Sequence, residues 1–440
     1  MAEESIFLGK MQGLYKKLCQ DEWSANTVGI IVGLFSVLLM AWWRPWGAVG
    51  AVRNWGDWIL YGIGVFKEAP KGPLMDSGSV IGIGFVAGAF ISANLGSNFA
   101  IRVPPAWERV KAVFAGIFMG IGATLAGGCN VGGFYNAIGN LSASGFAMWV
   151  GLIFGAIAGL KYIYWEMEHI TWGTGGGTTV ELPRALQVIL GVICIAALIW
   201  GAHAYSVSES SYAASLGGLM LLSAVLGYSM QRGRWCMIQG FREPHMTGDC
   251  TMAKSVALSI CIVAIGATVL KYHVPERLRS VRDTFSSAME EVSNQAQGVD
   301  VDAAVEDVDG ISTLQKPLAV LSKNNYVRGT FGWGGVVGGL VFGFGAMLAG
   351  GCGTGTLWRV GEGQVKLWIV VPFFAISNAL MTKWFRAAEF EANGKLGARV
   401  FLPDTFLGYG GTLALILGAM ALWYVVVDWN EESNKLIVEM

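Results

Sequence analysis

Two copies of one pattern decide how this chain folds: Ala-Gly-Gly-Cys-Asn-Val-Gly-Gly at residues 126–133 and Ala-Gly-Gly-Cys-Gly-Thr-Gly-Thr at residues 349–356. The copies lie 223 positions apart, and each follows a long run without charged residues. Glycine lacks a side chain and adopts backbone conformations that a continuous helix does not use, so each copy predicts a break in a membrane helix. A cysteine in such a break is a candidate contact for a solute that crosses there.

The composition is that of an integral membrane protein. Hydrophobic residues make up 54% of the 440 positions and charged residues only 14%, whereas soluble domains carry about 25% charged residues. A spanning helix needs about 20 mostly apolar residues, so the chain predicts an all-α, polytopic membrane protein with about ten transmembrane helices. The uncharged runs cover residues 25–43, 77–101, 112–160 (long enough for two helices), 185–208, 210–231, 255–270, 329–358, 367–382 and 405–427.

The charge pattern divides the chain into four parts. A polar segment, 1–24, precedes a first transmembrane half, 25–203, and a second transmembrane half, 204–430, is followed by a tail, 431–440. A polar loop, 272–328, interrupts the second half; it mixes acidic and basic residues, which predicts a solvent loop and not a folded domain. The Gly-rich stretch within 166–183 predicts a flexible connector.

A weaker repeat precedes the two Gly-Gly-Cys elements. Residues 88–102 align with residues 227–240, so that Gly96 matches Gly233 and Phe99 matches Cys236. The second half has one more apolar run, 255–270, between this break and its Gly-Gly-Cys element. The helices that lead into the two elements should therefore run in opposite directions. We expect an inverted pseudo-two-fold repeat with short re-entrant Gly-Cys elements.

Several kinds of site and partner are not indicated by the sequence. The seven cysteines are odd in number and show no Cys-x-x-Cys spacing, which argues against a disulfide scaffold or a zinc site. The four histidines show no ligand spacing, so neither a metal nor a cofactor is predicted. A net charge of −1 suggests no nucleic-acid partner. The expected surroundings are membrane lipid and a small permeating solute.

Cys129 and Cys352 are the first candidates for a substrate path. Cysteine often packs as a small buried hydrophobe, and that reading suits Cys194 and Cys261 inside plain apolar helices. The same residue at the same place in two copies instead favours a shared role. The glycines that frame the two cysteines are the supporting candidates: Gly127, Gly128, Gly350 and Gly351.

Cys236 is the third candidate, in Gln-Arg-Gly-Arg-Trp-Cys at 231–236. Arg234 beside it reads either as part of a snorkelling basic cluster or as part of a mouth that concentrates anions. A desolvated thiol is a neutral, weak hydrogen-bond donor, and weak contacts suit a path that a ligand must enter and leave. Helix N-termini at the glycine breaks would add a favourable potential for an anion.

Two charged residues after the second copy complete the candidate site. Glu362, in Trp-Arg-Val-Gly-Glu-Gly, is expected to pair with Arg359 in a structural role, ahead of a role with substrate. No carboxylate within the apolar runs stands out as a proton site. Channel-like uptake and symport therefore both stay open.

Three stretches together resemble the YeeE/YedE family of sulfur-compound transporters. They are Leu-Ala-Gly-Gly-Cys-Asn-Val-Gly-Gly-Phe at 125–134, Gln-Arg-Gly-Arg-Trp-Cys at 231–236, and the run from Phe-Gly-Phe-Gly-Ala-Met to Glu-Gly-Gln-Val at 342–365. The resemblance implies thiosulfate import across the inner membrane along a central path of cysteines, carried over to Cys129, Cys236 and Cys352. It also implies a small cytoplasmic sulfurtransferase of the TusA type as a partner.

Other functions stay open at this stage. The half with the Arg-x-Cys break comes second, which is similar to YedE-type members linked to selenium metabolism, so a selenium compound is the alternative substrate. A membrane thiol enzyme or sulfane-sulfur carrier is another reading, and it requires a reactive cysteine. A structural subunit is a third, although a scaffold gains nothing from interrupted helices.

Overall fold

The computed structural model describes residues 2–208, 210–272, 329–388, 390 and 394–438. Ten helices in this part of the chain are long and apolar enough to span a membrane. They coincide with the nine uncharged runs, of which 112–160 holds two helices, so the all-α, polytopic prediction is confirmed. The candidate spans are Ala25–Trp42, Ser77–Leu95, Ala106–Gly139, Ser144–His169, Arg184–Ser206, Tyr212–Arg232, Thr251–Tyr272, Trp333–Gly361, Val365–Ala387 and Gly408–Ser433.

Two of these spans are interrupted, and three further helices of the described residues, Ala2–Tyr15, Ala48–Gly62 and Gln239–Met246, are too short to be candidates. In chain order the helices are α1 (Ala2–Tyr15), α2 (Ala25–Trp42), α3 (Ala48–Gly62), α4 (Ser77–Leu95), α5 (Ala106–Leu125), α6 (Asn136–Gly139), α7 (Ser144–His169), α8 (Arg184–Ser206), α9 (Ser211–Arg232), α10 (Gln239–Met246), α11 (Thr251–Tyr272), α12 (Trp333–Ala349), α13 (Gly353–Gly361), α14 (Val365–Ala387) and α15 (Gly408–Ser433). Single π-helical turns occupy Lys16–Gln20 and Asn130–Tyr135, and a 3₁₀ turn occupies Leu402–Asp404.

The helices that lead into the Gly-Gly-Cys elements, α5 and α12, pack against each other through glycines in opposite directions. In order along α5, the contacts join Met119 to Gly345, Gly122 to Phe342, and Ala126 to Gly338. The 223-residue offset between the motifs maps Met119 onto Phe342 and Gly122 onto Gly345, so it maps the first contact onto the second. A two-fold axis requires such an exchange. The predicted inverted relation of the two elements is confirmed.

Two further helices show that the Gly-Cys elements are re-entrant. The helix that follows each element runs parallel to the helix that leads into the other element. Along α7 and α12, Gly151 meets Val336 and Gly155 meets Leu340. Along α5 and α14, Gly116 meets Val370 and Gly120 meets Asn378. Since α5 and α12 are antiparallel, α7 begins on the side where α5 ends. The chain between α5 and α7 therefore enters the protein and returns without crossing, and the same holds between α12 and α14.

The weaker repeat also has a structural counterpart. Ser97 and Arg234, the residues after Gly96 and Gly233, both have positive φ, at 57° and 48°. The two glycine N–H groups donate to carbonyls four residues earlier, each at 3.0 Å. The alignment that places Phe99 opposite Cys236 therefore describes two equivalent turns.

One buried helix, α3, has no predicted counterpart. It packs against α4 and α14, and a methyl group on its Gly56 would lie 2.1 Å from the Ala375 carbonyl oxygen of α14. Its 15 residues include Arg53 and Asp57. Charges within a short segment break the apolar run that a spanning helix needs, which is why composition did not reveal α3.

The stretch predicted as a flexible connector contains regular structure. Helix α7 continues to His169, and β2 (Thr178–Glu181) pairs antiparallel with β1 (Ala100–Val103). The connector prediction is wrong for these residues because the β-branched and charged run Thr-Thr-Val-Glu finds a partner strand far away in sequence. The polar loop predicted at 272–328 lies outside the described residues except for Tyr272, which ends α11.

Candidate functional site

The two Gly-Gly-Cys elements have the same backbone conformation. Gly127 and Gly350 lie in the left-handed region, with φ of 73° and 76°. Cys129 and Cys352 are both extended, with φ/ψ of −69°/−178° and −71°/−177°. Because an ordinary side chain is strained at positive φ, glycine is required where each leading helix stops.

Each cysteine begins the helical turn that returns from the break. The Gly133 N–H donates to the Cys129 carbonyl at 2.6 Å, and the Thr356 N–H donates to the Cys352 carbonyl at 2.7 Å. Both thiols therefore lie at the N-terminus of a half-helix, where unpaired N–H groups and the helix dipole favour an anion.

We expect Gly350→Ala to destabilise the protein by about 1–2 kcal/mol, the cost of a left-handed alanine. No atom lies within 4 Å of a methyl group at this position, so the loss would come from the backbone alone. Thermal unfolding in detergent, followed with a thiol-reactive dye, measures it. Gly418→Ala in α15, which also has open space around it and a helical backbone, is the matched control and should not lower the unfolding temperature.

Cys236 and Cys352 form a buried thiol pair. Their Sγ atoms are 3.5 Å apart, and neither residue is exposed to solvent. Cys352 Sγ also accepts a hydrogen bond from the Gly355 N–H at 3.2 Å and lies 3.4 Å from Thr354 Oγ1. The pair joins the break after α9 to the start of α13.

Arg359 is the charged group beside the thiol pair. Its Nη1 lies 3.9 Å from Cys236 Sγ and donates to the Gly350 carbonyl at 2.6 Å, while its guanidinium stacks on the Trp358 ring at 4.5 Å. The predicted pairing of Arg359 with Glu362 is wrong, because tertiary contacts with Gly350 and Cys236 hold the Arg359 side chain, although i,i+3 spacing would allow the pair. A fixed positive charge therefore adjoins the thiol pair.

Cys129 lies on the other half-helix, against the start of α13. A methyl group on Gly353 would lie 3.1 Å from Cys129 Sγ, and the Gly353 N–H donates to Asn130 Oδ1 at 3.2 Å. Asn130 and Gly353 occupy equivalent positions in the two elements. Because these equivalent positions touch, the pseudo-two-fold axis passes between them. Cys129 therefore lies in the same region as the Cys236–Cys352 pair.

Gly355 keeps the space beside the thiols open. A methyl group there would lie 2.5 Å from Cys236 Sγ and 3.3 Å from Cys352 Sγ. Sequence reasoning did not select Gly355 or Asn130. The signal for both was in the motif itself: Asn130 stands opposite Gly353, and Gly355 repeats Gly132 of the first copy.

The arginines around the Cys236 break fall into separate environments. Arg232 is buried and donates to backbone carbonyls of Cys19 and Ser92, which is a structural role. Arg242 pairs with its neighbour Glu243. Arg234 is 50% exposed, and its Nη2 lies 3.8 Å from Glu362 Oε1.

Glu362 is buried beneath two arginines. Its side chain is 1% exposed, and Oε1 lies 3.4 Å from Arg102 Nη1, on a side chain that is 38% exposed. Oε2 has no hydrogen-bond partner among the described residues. Because Glu362 follows directly on α13, the half-helix connects this buried carboxylate to the thiol pair.

A model of the sulphur transport family matches residues 3–158 and 311–438. The chain belongs to this family. It is 25% identical to the probable transporter YedE of Escherichia coli over 403 residues, which are 88% of this chain and 87% of that protein. It is 29% identical over 167 residues to the thiosulfate transporter TsuA of Escherichia coli, across 38% of this chain and 34% of that protein.

A second thiosulfate transporter TsuA, from Spirochaeta thermophila, is 46% identical over 50 residues, 11% of this chain and 15% of that protein. With ten candidate spans and these relatives, the protein is a multi-pass membrane transporter, not an enzyme, and its substrate is a sulfur compound. These findings argue against the alternative of a membrane thiol enzyme.

Proposed function

We propose that this protein imports thiosulfate, or a closely related sulfur oxyanion, across the inner membrane along a path lined by Cys129, Cys236 and Cys352. The observation that carries the proposal is the buried thiol pair, 3.5 Å between Sγ atoms, at the meeting point of two inverted half-helices. Two relatives named thiosulfate transporters support the choice of anion.

The chemistry of the cluster suits a polarisable anion. Neutral S–H groups donate weak hydrogen bonds, which hold an anion without trapping it. The N-termini of the half-helices and Arg359 add positive potential, so the desolvated anion is compensated while it passes. A cation would meet the wrong sign of charge at each of these groups.

The half-exposed arginines mark a mouth of the path. Arg102 and Arg234 lie over Glu362, at the end of the half-helix that begins at Cys352. Exposed guanidinium groups around an opening raise the local concentration of anions. From this mouth the anion would pass Arg359 and reach the Cys236–Cys352 pair. The sulfurtransferase partner of the TusA type stays a prediction.

Labelled-thiosulfate uptake tests the proposal in cells that lack their other sulfate and thiosulfate importers. Expression of the wild-type chain should restore saturable uptake and growth on thiosulfate as the sole sulfur source. Unlabelled thiosulfate should compete strongly. Sulfate should compete weakly, because it lacks the polarisable terminal sulfur. Uptake no higher than in cells with an empty vector would contradict the function.

The resemblance to YedE-type members, which implies a link to selenium metabolism, makes a selenium compound the second candidate. The relatives that match most of the chain are the YedE proteins, whereas the E. coli thiosulfate transporter matches only 38% of it. A selenium oxyanion is also polarisable and would meet the same groups. In the same cells, labelled selenite uptake that excess thiosulfate does not suppress would favour selenium.

A further inference from the structure

We propose that Glu362 binds a proton together with the transported anion, which makes this protein a proton-coupled transporter. The inference rests on the proposed import of a sulfur anion, and it adds the energy coupling that the sequence left open. The observation behind it is that Glu362 is buried and that its two arginine partners also line the mouth of the path.

The contacts of Glu362 leave it able to change its charge. The carboxylate is 1% exposed, its Oε2 has no partner among the described residues, and its arginine contacts are long, at 3.4 and 3.8 Å. Glu362 also caps the C-terminus of α13, where the helix dipole opposes a negative charge. The two arginines are therefore what stabilises the ionised form.

The elements around Glu362 differ in the charged groups that they carry. Arg102 lies on β1, Arg234 and the more distant Arg232 lie at the end of α9, and Arg359 on α13 is engaged with Gly350. Lys366 on α14 pairs with Glu108, at 2.5 Å. Helix α4 carries no charged residue, and the α3 residues Arg53 and Asp57 lie among the charges at the far end of α14, Lys383 and Arg386.

This arrangement links the anion to the proton. An anion that arrives from solvent meets the half-exposed Arg102 and Arg234 before it meets the buried Glu362. When it draws the guanidinium groups to itself, the carboxylate is left without counter-charge in a low-dielectric site, where the ionised form is costly. A proton from the adjacent water then bonds to a carboxylate oxygen. When the anion has moved on and the arginines return, the proton leaves the carboxylate for the water on the side to which the anion is released.

Coupling to protons answers an energetic need. Moving one negative charge into a cell against an inside-negative potential costs about 2.3 kcal/mol per 100 mV, and a doubly charged anion costs about twice as much. A proton bound to Glu362 cancels part of that charge. It also lets the proton gradient drive accumulation.

The test uses the full chain in proteoliposomes with the membrane potential clamped. With the outside acidic, we expect accumulation of labelled thiosulfate, and in weak buffer the addition of thiosulfate should make the outer medium more alkaline. Glu362→Gln, which mimics the protonated form, should still exchange thiosulfate between the two sides at equal pH. It should neither accumulate thiosulfate nor move protons.

Glu168→Gln, on an exposed glutamate at the end of α7, is the matched control and should behave as wild type. Wild-type uptake that neither moves protons nor responds to the pH gradient would overturn the role of Glu362 and leave the import function standing. Accumulation by Glu362→Gln equal to wild type would do the same. The absence of any uptake by the wild type would overturn both proposals. The wild-type measurement decides the matter even where the variant fails to fold.

Discussion

Replacing Cys352 with alanine should lower thiosulfate uptake about ten- to a hundredfold. A hydrogen bond to a charged group contributes about 1.5–3 kcal/mol, and about 1.4 kcal/mol is tenfold in an equilibrium. The Sγ atoms of Cys352 and Cys236 are 3.5 Å apart, and Cys352 adjoins the N-terminus of the half-helix. Its replacement by alanine therefore removes a hydrogen-bond donor from the thiol pair. Cys236→Ala should have a comparable effect. Initial rates of labelled uptake, normalised to protein in the membrane, give the measurement.

Serine and alanine variants separate a donor role from mere packing. Cys352→Ser keeps a donor towards the path and an acceptor for the Gly355 N–H, so it should retain more uptake than Cys352→Ala. Cys194→Ala and Cys261→Ala, on half-buried cysteines of α8 and α11, are the matched controls and should transport as wild type. Equal loss in all four alanine variants would show that cysteine packing, not the thiol path, is being measured.

Gly355→Ala should reduce uptake about tenfold or more while every thiol remains in place. The added methyl would lie 2.5 Å from Cys236 Sγ, and forcing extra volume against neighbouring atoms costs about 1–3 kcal/mol. Gly355 lies inside α13 with helical neighbours, so alanine is favoured by the backbone itself. The loss would therefore report the space beside the thiols.

The control for Gly355→Ala is again Gly418→Ala, where a methyl meets no atom within 4 Å. Uptake and the reaction of Cys236 with a small alkylating reagent should both fall in Gly355→Ala and stay unchanged in Gly418→Ala. Full uptake by Gly355→Ala would mean that the anion does not pass beside this glycine.

Much of the fold could be predicted because two kinds of signal are local. Long uncharged runs mark spanning helices, and the repeated Gly-Gly-Cys elements mark the breaks, which share one conformation at Gly127 and Gly350. The opposite directions of α5 and α12 followed from counting spans. The equivalence of Ser97 and Arg234 followed from a weak alignment that positive φ at both residues bears out.

The rest of the site depends on contacts that periodicity does not encode. Arg359 is one helical turn from Glu362, which suggested an ion pair, yet tertiary packing directs it to Gly350 and Cys236. The partners of Glu362 lie some 130 and 260 positions away, on Arg234 and Arg102. Helix α3 was missed because its charges are tolerated by neighbours that only the folded protein supplies.

The hydrogen bond from the Gly353 N–H to Asn130 Oδ1 has a consequence for biosynthesis. The first half is made 223 residues before the second copy of its motif emerges, so Asn130 waits in the bilayer without the amide that it will bind. The contact between the two re-entrant loops forms only when both copies are present, made as one chain or brought together in the membrane. Newly made protein should thus be most vulnerable to quality-control proteases in the interval before α13 is inserted.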